Sequence, residues 1–197
     1  MNRILRPLRR EEYPGWYEML GGMFPPNERK PLADVLNLAD AGRYEVQGLF
    51  EGEALLGFAS LWSHPDCPGY LVLDYLGVCA QRRCGGLGAE ILGALRERFA
   101  GRALLITEAE SPVPGDASGN PMRARRIAFY ERCGFVQVYD IASCGARFRA
   151  LALGEIGDMD ALMRAHKAIY GPARTDVVVP LGPDGVPRPS YWMEENR

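Results

Sequence analysis

Apolar and polar positions alternate along the chain with two different periods, and the order of these segments predicts an α/β (α+β) fold. Segments with a two-residue period or a short apolar run predict β-strands at 3–8, 44–50, 54–62, 70–78, 104–108, 135–141 and 146–153, and the valine run 177–179 is a candidate for one more. Segments with apolar residues three or four positions apart predict helices at 11–20, 31–39, 86–99 and 124–132, and one more after Asp158. The segment 111–121 is rich in proline and glycine and is predicted to be a mobile loop.

The composition is that of an ordinary soluble protein and argues against several classes of function. The 197 residues are 47% hydrophobic and 24% charged, with a net charge of −2, so binding of nucleic acid is not expected. The N-terminus has no apolar signal segment and no apolar run is long enough to span a bilayer, so membrane association is not expected either. Five scattered cysteines predict free thiols in a reducing cytoplasm, and two histidines are too few for a multi-histidine metal site, so no metal is expected.

The most informative junction follows the predicted strand 70–78. Arg82 and Arg83 precede the run Gly85-Gly86-Leu87-Gly88, and a helical pattern begins at once. Glycines let a turn expose its N–H groups, and a helix N-terminus adds partial positive charge, so this junction suits an anion such as a pyrophosphate. The spacing fits Arg-x-x-Gly-x-Gly and matches neither the Walker P-loop nor the Gly-x-Gly-x-x-Gly dinucleotide fingerprint.

A second motif, Ala128-Phe129-Tyr130-Glu131-Arg132-Cys133-Gly134-Phe135, lies further along the chain. The order of strand, Arg-x-x-Gly-x-Gly turn, helix, strand and this motif resembles the GNAT superfamily of acetyl-CoA-dependent N-acyltransferases. The resemblance covers residues 43–147. The segment 24–31, which is Phe-Pro-Pro-Asn-Glu-Arg-Lys-Pro, and the run Thr107-Glu108-Ala109-Glu110 also resemble a set of small bacterial GNAT proteins whose substrates are undefined.

The resemblance implies a fold, an acyl donor and a reaction. Residues 1–154 would form a GNAT domain, with a mixed, mostly antiparallel sheet flanked by helices, and 155–197 would be a helical and turn-rich extension packed on it. The protein would transfer an acetyl group from acetyl-CoA to a primary amine of a small molecule or peptide, by direct attack in a ternary complex. The residues expected to bind CoA are Leu76, Gly77, Val78, Arg83, Cys84, Gly85, Gly86, Leu87, Gly88 and Phe129. Phe129 by its residue type also suits the core.

Three residues are candidates for acid–base chemistry. Tyr130 matches the family tyrosine that protonates the departing thiolate, and its alternative role is an aromatic anchor for the helix. Asp74 lies in an apolar strand on the face that periodicity assigns to Leu76 and Val78; it is a candidate base or an acid that orders the cleft. Glu108 is a candidate base or a solvated strand end.

Several questions stay open at the level of sequence. The protein could bind CoA without catalysis, as a sensor or interaction partner, or it could use a longer acyl-CoA. Acceptor contacts are expected from 11–39 and 111–123, where Glu28 and Arg29 are either such contacts or an exposed salt pair. A homodimer is compatible with the resemblance. His166 is expected to be a core residue, and the thiol of Cys84 is predicted to be reactive and protected by bound CoA.

Overall fold

The computed structural model describes residues 3–82 and 85–194, and a seven-stranded sheet lies at its centre. The strands are β1 (Arg3–Pro7), β2 (Tyr44–Glu51), β3 (Ala54–Trp62), β4 (Tyr70–Val78), β5 (Leu104–Glu110), β6 (Val136–Ser143) and β7 (Ala146–Leu153). Their order is β1-β2-β3-β4-β5-β7-β6, and all neighbours are antiparallel except β4 and β5. The predicted mixed, mostly antiparallel sheet is therefore confirmed. The observed bounds of each strand also agree with its predicted segment to within two residues at either end.

Helices cover both faces of the sheet. They are α1 (Tyr13–Gly21), α2 (Leu32–Asp40), α3 (Leu87–Phe99), α4 (Asn120–Arg132), α5 (Met159–Tyr170) and the short α6 (Tyr191–Glu194). Helices α1, α2 and α5 bury apolar side chains in one cluster against the sheet, and α3 and α4 contribute to a second cluster. In α3 the buried residues Leu87, Ile91 and Leu95 repeat at helical spacing, which is why this face turns inward. No helix of the described residues combines the length and the apolar character needed to cross a bilayer.

The two parallel strands separate part-way along their length. Their pairing runs from Tyr70–Leu104 to Leu73–Thr107, whereas β4 continues to Val78 and β5 to Glu110. The Thr107 hydroxyl donates to the Leu73 carbonyl (3.3 Å) at this last paired position. After this position β4 and β5 are no longer paired with each other, and a cleft opens between them.

A β-bulge at Asp74 overturns the alternation predicted for this strand. The register between β3 and β4 shifts here, so Asp74 is an extra residue without a partner on β3. A bulge moves the side-chain alternation by one residue. Leu76 and Val78 therefore pack with the α3 cluster, while Asp74 hydrogen-bonds Tyr44 of the opposite cluster. The expectation that Asp74 shares a face with Leu76 and Val78 is wrong.

The loop before α4 is shorter than predicted and is held by hydrogen bonds. Helix α4 begins at Asn120, four residues before the predicted start, because Pro121 lies in its first turn, where a missing N–H costs nothing. The Asp116 carboxylate accepts bonds from the Gly119 amide (2.9 Å) and from Arg123, which also pairs with Glu110 (2.9 Å). These contacts close the segment onto the end of β5.

Residues after β7 pack on the face formed by α1 and α2. The apolar side of α5 places Leu162, Ile169 and Tyr170 in the same cluster as the sheet residues of that face. Val178 then forms an isolated antiparallel bridge with Ala142 of β6. The segment predicted as a strand at 177–179 is thus limited to one bridge.

Candidate active site

The predicted site residues come together in the cleft between β4 and β5. The cleft has a volume of about 750 Å³. The predicted residues that line it are Asp74, Leu76, Gly77, Val78, Gly86, Leu87, Gly88, Glu108, Phe129 and Tyr130. Gly85 is exposed and does not line it. Arg83 and Cys84 lie outside the described residues, so their predicted roles stay predictions.

The N-terminus of α3 forms one end of the cleft. Gly86 has φ +77°, a left-handed conformation that favours glycine, and α3 begins at the next residue without a side-chain cap. The amide of Glu90 donates to the Gly86 carbonyl. Helix geometry gives the amides of Leu87, Gly88 and Ala89 no intrahelical acceptor. Because Gly86, Leu87 and Gly88 line the cleft, these amides provide donors for an anion bound there.

Gly88 brings α3, α4 and the end of β4 into close contact. A Cβ atom at this position would lie 3.2 Å from the Phe129 ring and 3.9 Å from Val78. Phe129 itself is half-buried and packs in the α3 cluster. It therefore serves as a core residue and also forms part of the cleft wall.

Tyr130 lies at the base of the cleft, in the middle of an aromatic group. Its ring makes edge contacts with Phe129 (centroids 5.3 Å apart) and Phe135 (5.5 Å), and its residue is 7% exposed. Burial raises the pKa of Tyr130 and outweighs the opposite influence of the Thr107 hydroxyl. The phenol of Tyr130 therefore stays protonated at neutral pH, as a proton donor must.

Asp74 is held on both carboxylate oxygens. Lys30 Nζ lies 2.6 Å from Oδ1, and the Tyr44 hydroxyl donates to Oδ2 at 2.6 Å. The lysine also lies over the ring of Trp62, 4.5 Å from its centroid. Burial lowers the pKa of Lys30, and the charge of Asp74 opposes this shift. This buried ion pair was not predicted, because Lys30 comes from the proline-bounded segment 24–31, whose placement no local pattern fixes.

Glu108 is the first residue of β5 beyond the last paired position, directly across the opening from Asp74. Its Oε1 atom accepts a hydrogen bond from the Tyr170 hydroxyl (2.5 Å) and is 2.9 Å from His166 Nε2. The other ring nitrogen of His166 lies 2.9 Å from the Tyr139 hydroxyl. His166 is completely buried, as predicted, but its contact with Glu108 was missed, since α5 and β5 are far apart in sequence.

The segment 24–31 forms another wall of the cleft. Glu28 lines the cleft, and burial raises the pKa of its carboxyl, with a further rise from the negative charge of Glu110. The Tyr75 hydroxyl donates to the Glu28 carbonyl (2.7 Å), and Ser190 and Trp192 donate to the carbonyls of residues 27 and 26. The C-terminal residues thus fix the backbone of this wall.

Sequence reasoning also missed the pair Arg174 and Asp176, of which Arg174 lines the cleft. Their side chains form a buried ion pair, with Nε of Arg174 2.8 Å from Oδ1 of Asp176. Asp176 also accepts a hydrogen bond from the Cys144 amide (2.9 Å). The four cysteines that the structure describes are free, and residues 3–82 and 85–194 contain no metal-binding cluster of histidine, cysteine and acidic side chains.

Comparison with known proteins identifies the family. The model of the Acetyltransferase (GNAT) family matches residues 13–135, which include the strand, the glycine turn and the Tyr130 motif. The chain belongs to this family. It is 31% identical over 153 residues to the Bacillus subtilis (strain 168) protein named "Putative acetyltransferase YjbC", with 77% of this chain and 71% of that protein covered.

Solved structures support the GNAT fold. A GNAT-family protein of Bacteroides thetaiotaomicron superposes with a TM-score of 0.66 at 21% identity, covering 86% of this chain and 99% of that one. A variant of the spermidine N-acetyltransferase SpeG from Vibrio cholerae gives a TM-score of 0.56 at 13% identity, with coverage of 77% and 92%. Together with the family match and the Bacillus relative, this makes the protein a GNAT enzyme of the acyltransferase class.

Proposed function

We propose that the protein transfers an acetyl group from acetyl-CoA to a primary amine, by direct attack of the amine within a ternary complex. The observation that carries this proposal is the cleft itself. It has an uncapped helix N-terminus at one end, a buried phenol at its base and two carboxylates where the strands separate. Family membership supports acetyl-CoA as the donor.

The described residues fit acetyl-CoA in two places. The amides at the start of α3 would bind the pyrophosphate, since helix geometry gives them no intrahelical acceptor and Gly86 at the N-cap has no side chain to bond them. The backbone of Leu76, Gly77 and Val78, which is not paired with β5, would bind the pantetheine arm by hydrogen bonds. When bound, acetyl-CoA supplies the activated thioester carbonyl.

Proton transfer is assigned to Tyr130 and Glu108. As the new N–C bond forms and the C–S bond breaks, Glu108 takes a proton from the amine and Tyr130 gives its proton to the sulfur. Asp74 is the alternative base. The contacts favour Glu108, because both oxygens of Asp74 are engaged by Lys30 and Tyr44, whereas the described hydrogen bonds to Glu108 all end on Oε1.

The acceptor is proposed to be a small-molecule or peptide amine. The cleft presents the carboxylates of Glu28, Glu108 and Glu110 on its acceptor side, and these suit a cationic group. The structurally similar SpeG is a spermidine N-acetyltransferase, which makes polyamines sensible first members of a test panel.

The test is release of free CoA thiol from acetyl-CoA across a panel of amines, with the product confirmed by mass spectrometry. Tyr130→Phe is expected to lower kcat about a hundredfold, a usual value for the loss of a general acid. Tyr70→Phe, at the far end of β4, is the matched control and is expected to leave kcat unchanged. Tight CoA binding without turnover of any amine would contradict the proposal and favour a CoA sensor.

A further inference from the structure

The hydrogen-bonded group Tyr139–His166–Glu108 connects the cleft to residues that lie beyond the family match, which ends at residue 135. Glu108 lines the cleft, His166 is completely buried behind it, and Tyr139 is half-buried on β6. Both ring nitrogens of the histidine have a partner at 2.9 Å. A buried histidine with two partners on different strands needs a defined placement of its hydrogen atoms.

The chemistry of the partners determines that placement. An ionised carboxylate accepts hydrogen bonds only, so Nε2 of His166 must carry hydrogen to bond Glu108. Burial raises the pKa of Tyr139, so its hydroxyl keeps a proton that it can donate to Nδ1. One neutral tautomer, with hydrogen on Nε2, satisfies both contacts without burying a further charge.

We propose that His166 and Tyr139 are positioning residues for Glu108. Tyr139 fixes the Nε2–H tautomer of His166, and His166 holds one oxygen of Glu108 in place, so that the second oxygen is available to the acceptor amine. The proposal rests on the proposed function, in which Glu108 is the base. It makes helix α5, part of the segment 155–197, a component of the catalytic site.

The hydrogen bonds to Glu108 explain why this arrangement serves a base. Two donors, His166 and Tyr170, converge on Oε1 and occupy that oxygen, which leaves Oε2 to the acceptor amine. They also prevent rotation of the carboxyl group, so Oε2 keeps one direction. The backbone of Glu108 is fixed as well, since it pairs with Ala150 of β7.

Other charged or titratable groups line the cleft together with Glu108, and they come from each element around it. They are Glu28, Lys30, Asp74, Tyr75, Arg82, Glu110, Arg125, Arg126, Tyr130, Cys144, Tyr170 and Arg174. All of them remain in variants of His166 or Tyr139. A change in the pH dependence of such variants therefore reports the lost contact.

The first test reads the tautomer in the free, full-length protein. The chain has two histidines, so the ring nitrogens in ¹⁵N-edited NMR spectra can be assigned with His64→Gln, a variant in the turn after β3. The expected spectrum has hydrogen on Nε2 of His166 and none on Nδ1. Hydrogen on Nδ1 would overturn the proposal.

The second test is the pH profile of kcat/KM for the amine. His166→Leu removes the donor to Oε1, so the acid limb of the profile is expected to move about one unit to higher pH. His166→Gln keeps an amide donor and is expected to recover most of the shift. Tyr139→Phe retains His166 and is expected to move the limb in the same direction by less, whereas His64→Gln leaves it in place.

The outcomes separate this proposal from the proposed function. A uniform fall in kcat/KM with an unmoved acid limb in His166→Leu and Tyr139→Phe would overturn the positioning role and indicate packing alone. An inactive wild-type protein that shows the Nε2–H tautomer would count against acetyl transfer and still support the fixed Glu108–His166 pair. Circular dichroism of each variant identifies those that fail to fold, and the pH profile of Tyr139→Phe decides between the two roles if His166→Leu is among them.

Discussion

At the scale of single residues, the contact between Lys30 and Asp74 determines which role Asp74 has in the cleft. An acid in an apolar strand can be a base or a structural group, and the two roles predict different effects of substitution. Here the carboxylate is bonded on both oxygens, and the side chains of Lys30 and Asp74 are 5% and 8% exposed. A buried ion pair that loses one member leaves an uncompensated charge.

We therefore predict that Asp74→Asn lowers the free energy of unfolding by about 3–5 kcal/mol, as measured by chemical denaturation. The double variant Lys30→Met/Asp74→Leu removes both charges and is expected to recover most of this loss. Asp40→Asn, which breaks an exposed pair with Arg10, is the control and is expected to change stability little. An Asp74→Asn protein of wild-type stability but without turnover would instead assign Asp74 as the base.

At the scale of elements, the turn before α3 and α3 itself each contain a glycine, and the two glycines have opposite requirements. Gly86 has a positive φ, so any other residue strains the backbone there, although there is open space around it. Gly93 lies inside α3 with open space around it and no such φ. The same substitution at the two positions separates the effect of turn geometry from the effect of helix propensity.

Gly86→Ala is predicted to destabilise the protein by about 1–2 kcal/mol and to weaken acetyl-CoA binding about tenfold, because the turn amides lose their direction. Gly93→Ala is predicted to stabilise the protein by up to about 1 kcal/mol without changing binding. Thermal denaturation and calorimetric titration measure the two effects. Equal acetyl-CoA affinity in both variants would show that the turn does not bind the donor.

A second prediction concerns the segment after α5 and the buried pair Arg174–Asp176. Burial acts to raise the pKa of Asp176, but hydrogen bonds from Arg174 and its charge outweigh this, so the pKa lies below its ordinary value of 3.8. A lowered carboxyl pKa stabilises the fold at pH values above the ordinary one, and this contribution is lost as the pH falls through the native value.

Asp176→Asn is therefore predicted to lower the free energy of unfolding by about 3–5 kcal/mol at pH 7. The difference from the wild type should persist at pH 5 and shrink below pH 3.8, where the unfolded carboxyl is protonated. Urea denaturation at pH 7, 5 and 3 measures it. A difference that does not depend on pH would contradict a charged role for Asp176.

The elements themselves could largely be predicted from sequence, whereas their deviations could not. Strands such as Tyr70–Val78 were found at their observed bounds, because a long apolar run between turn residues is a strong local signal. The bulge at Asp74 was missed because it depends on tertiary contacts. The early start of α4 was missed because Pro121 counts toward the proline- and glycine-rich loop, although proline also fits the first turn of a helix. The site was predicted only in part for the same reason: the motifs mark Gly86, Gly88 and Tyr130, but the partners of Glu108 come from distant elements.

At the scale of the whole molecule, the C-terminal residues connect two parts of the cleft that are far apart in sequence. Helix α5 contacts Glu108, and Ser190 and Trp192 hold the backbone of segment 24–31. The donor end, at α3, has no such contact among the hydrogen bonds of the described residues. The extension should therefore affect the acceptor more than the donor.

Removal of residues 189–197 is predicted to raise KM for the amine about tenfold, because segment 24–31 loses two hydrogen bonds that fix it. The Kd of acetyl-CoA should stay within about twofold of the wild-type value, which corresponds to less than about 1 kcal/mol. Met193→Ser, at an exposed position, is the control and should alter neither constant. A parallel rise of both constants would mean that truncation disturbs the whole fold.

The proposed reaction depends on binding of acetyl-CoA, as the acyl donor, in the cleft between β4 and β5. The decisive measurement is calorimetric titration of the full-length protein with acetyl-CoA, with CoA and with NAD. We expect saturable binding of acetyl-CoA and CoA at one site and no binding of NAD. Absence of saturable acetyl-CoA binding by the folded protein would contradict acetyl-CoA as the donor.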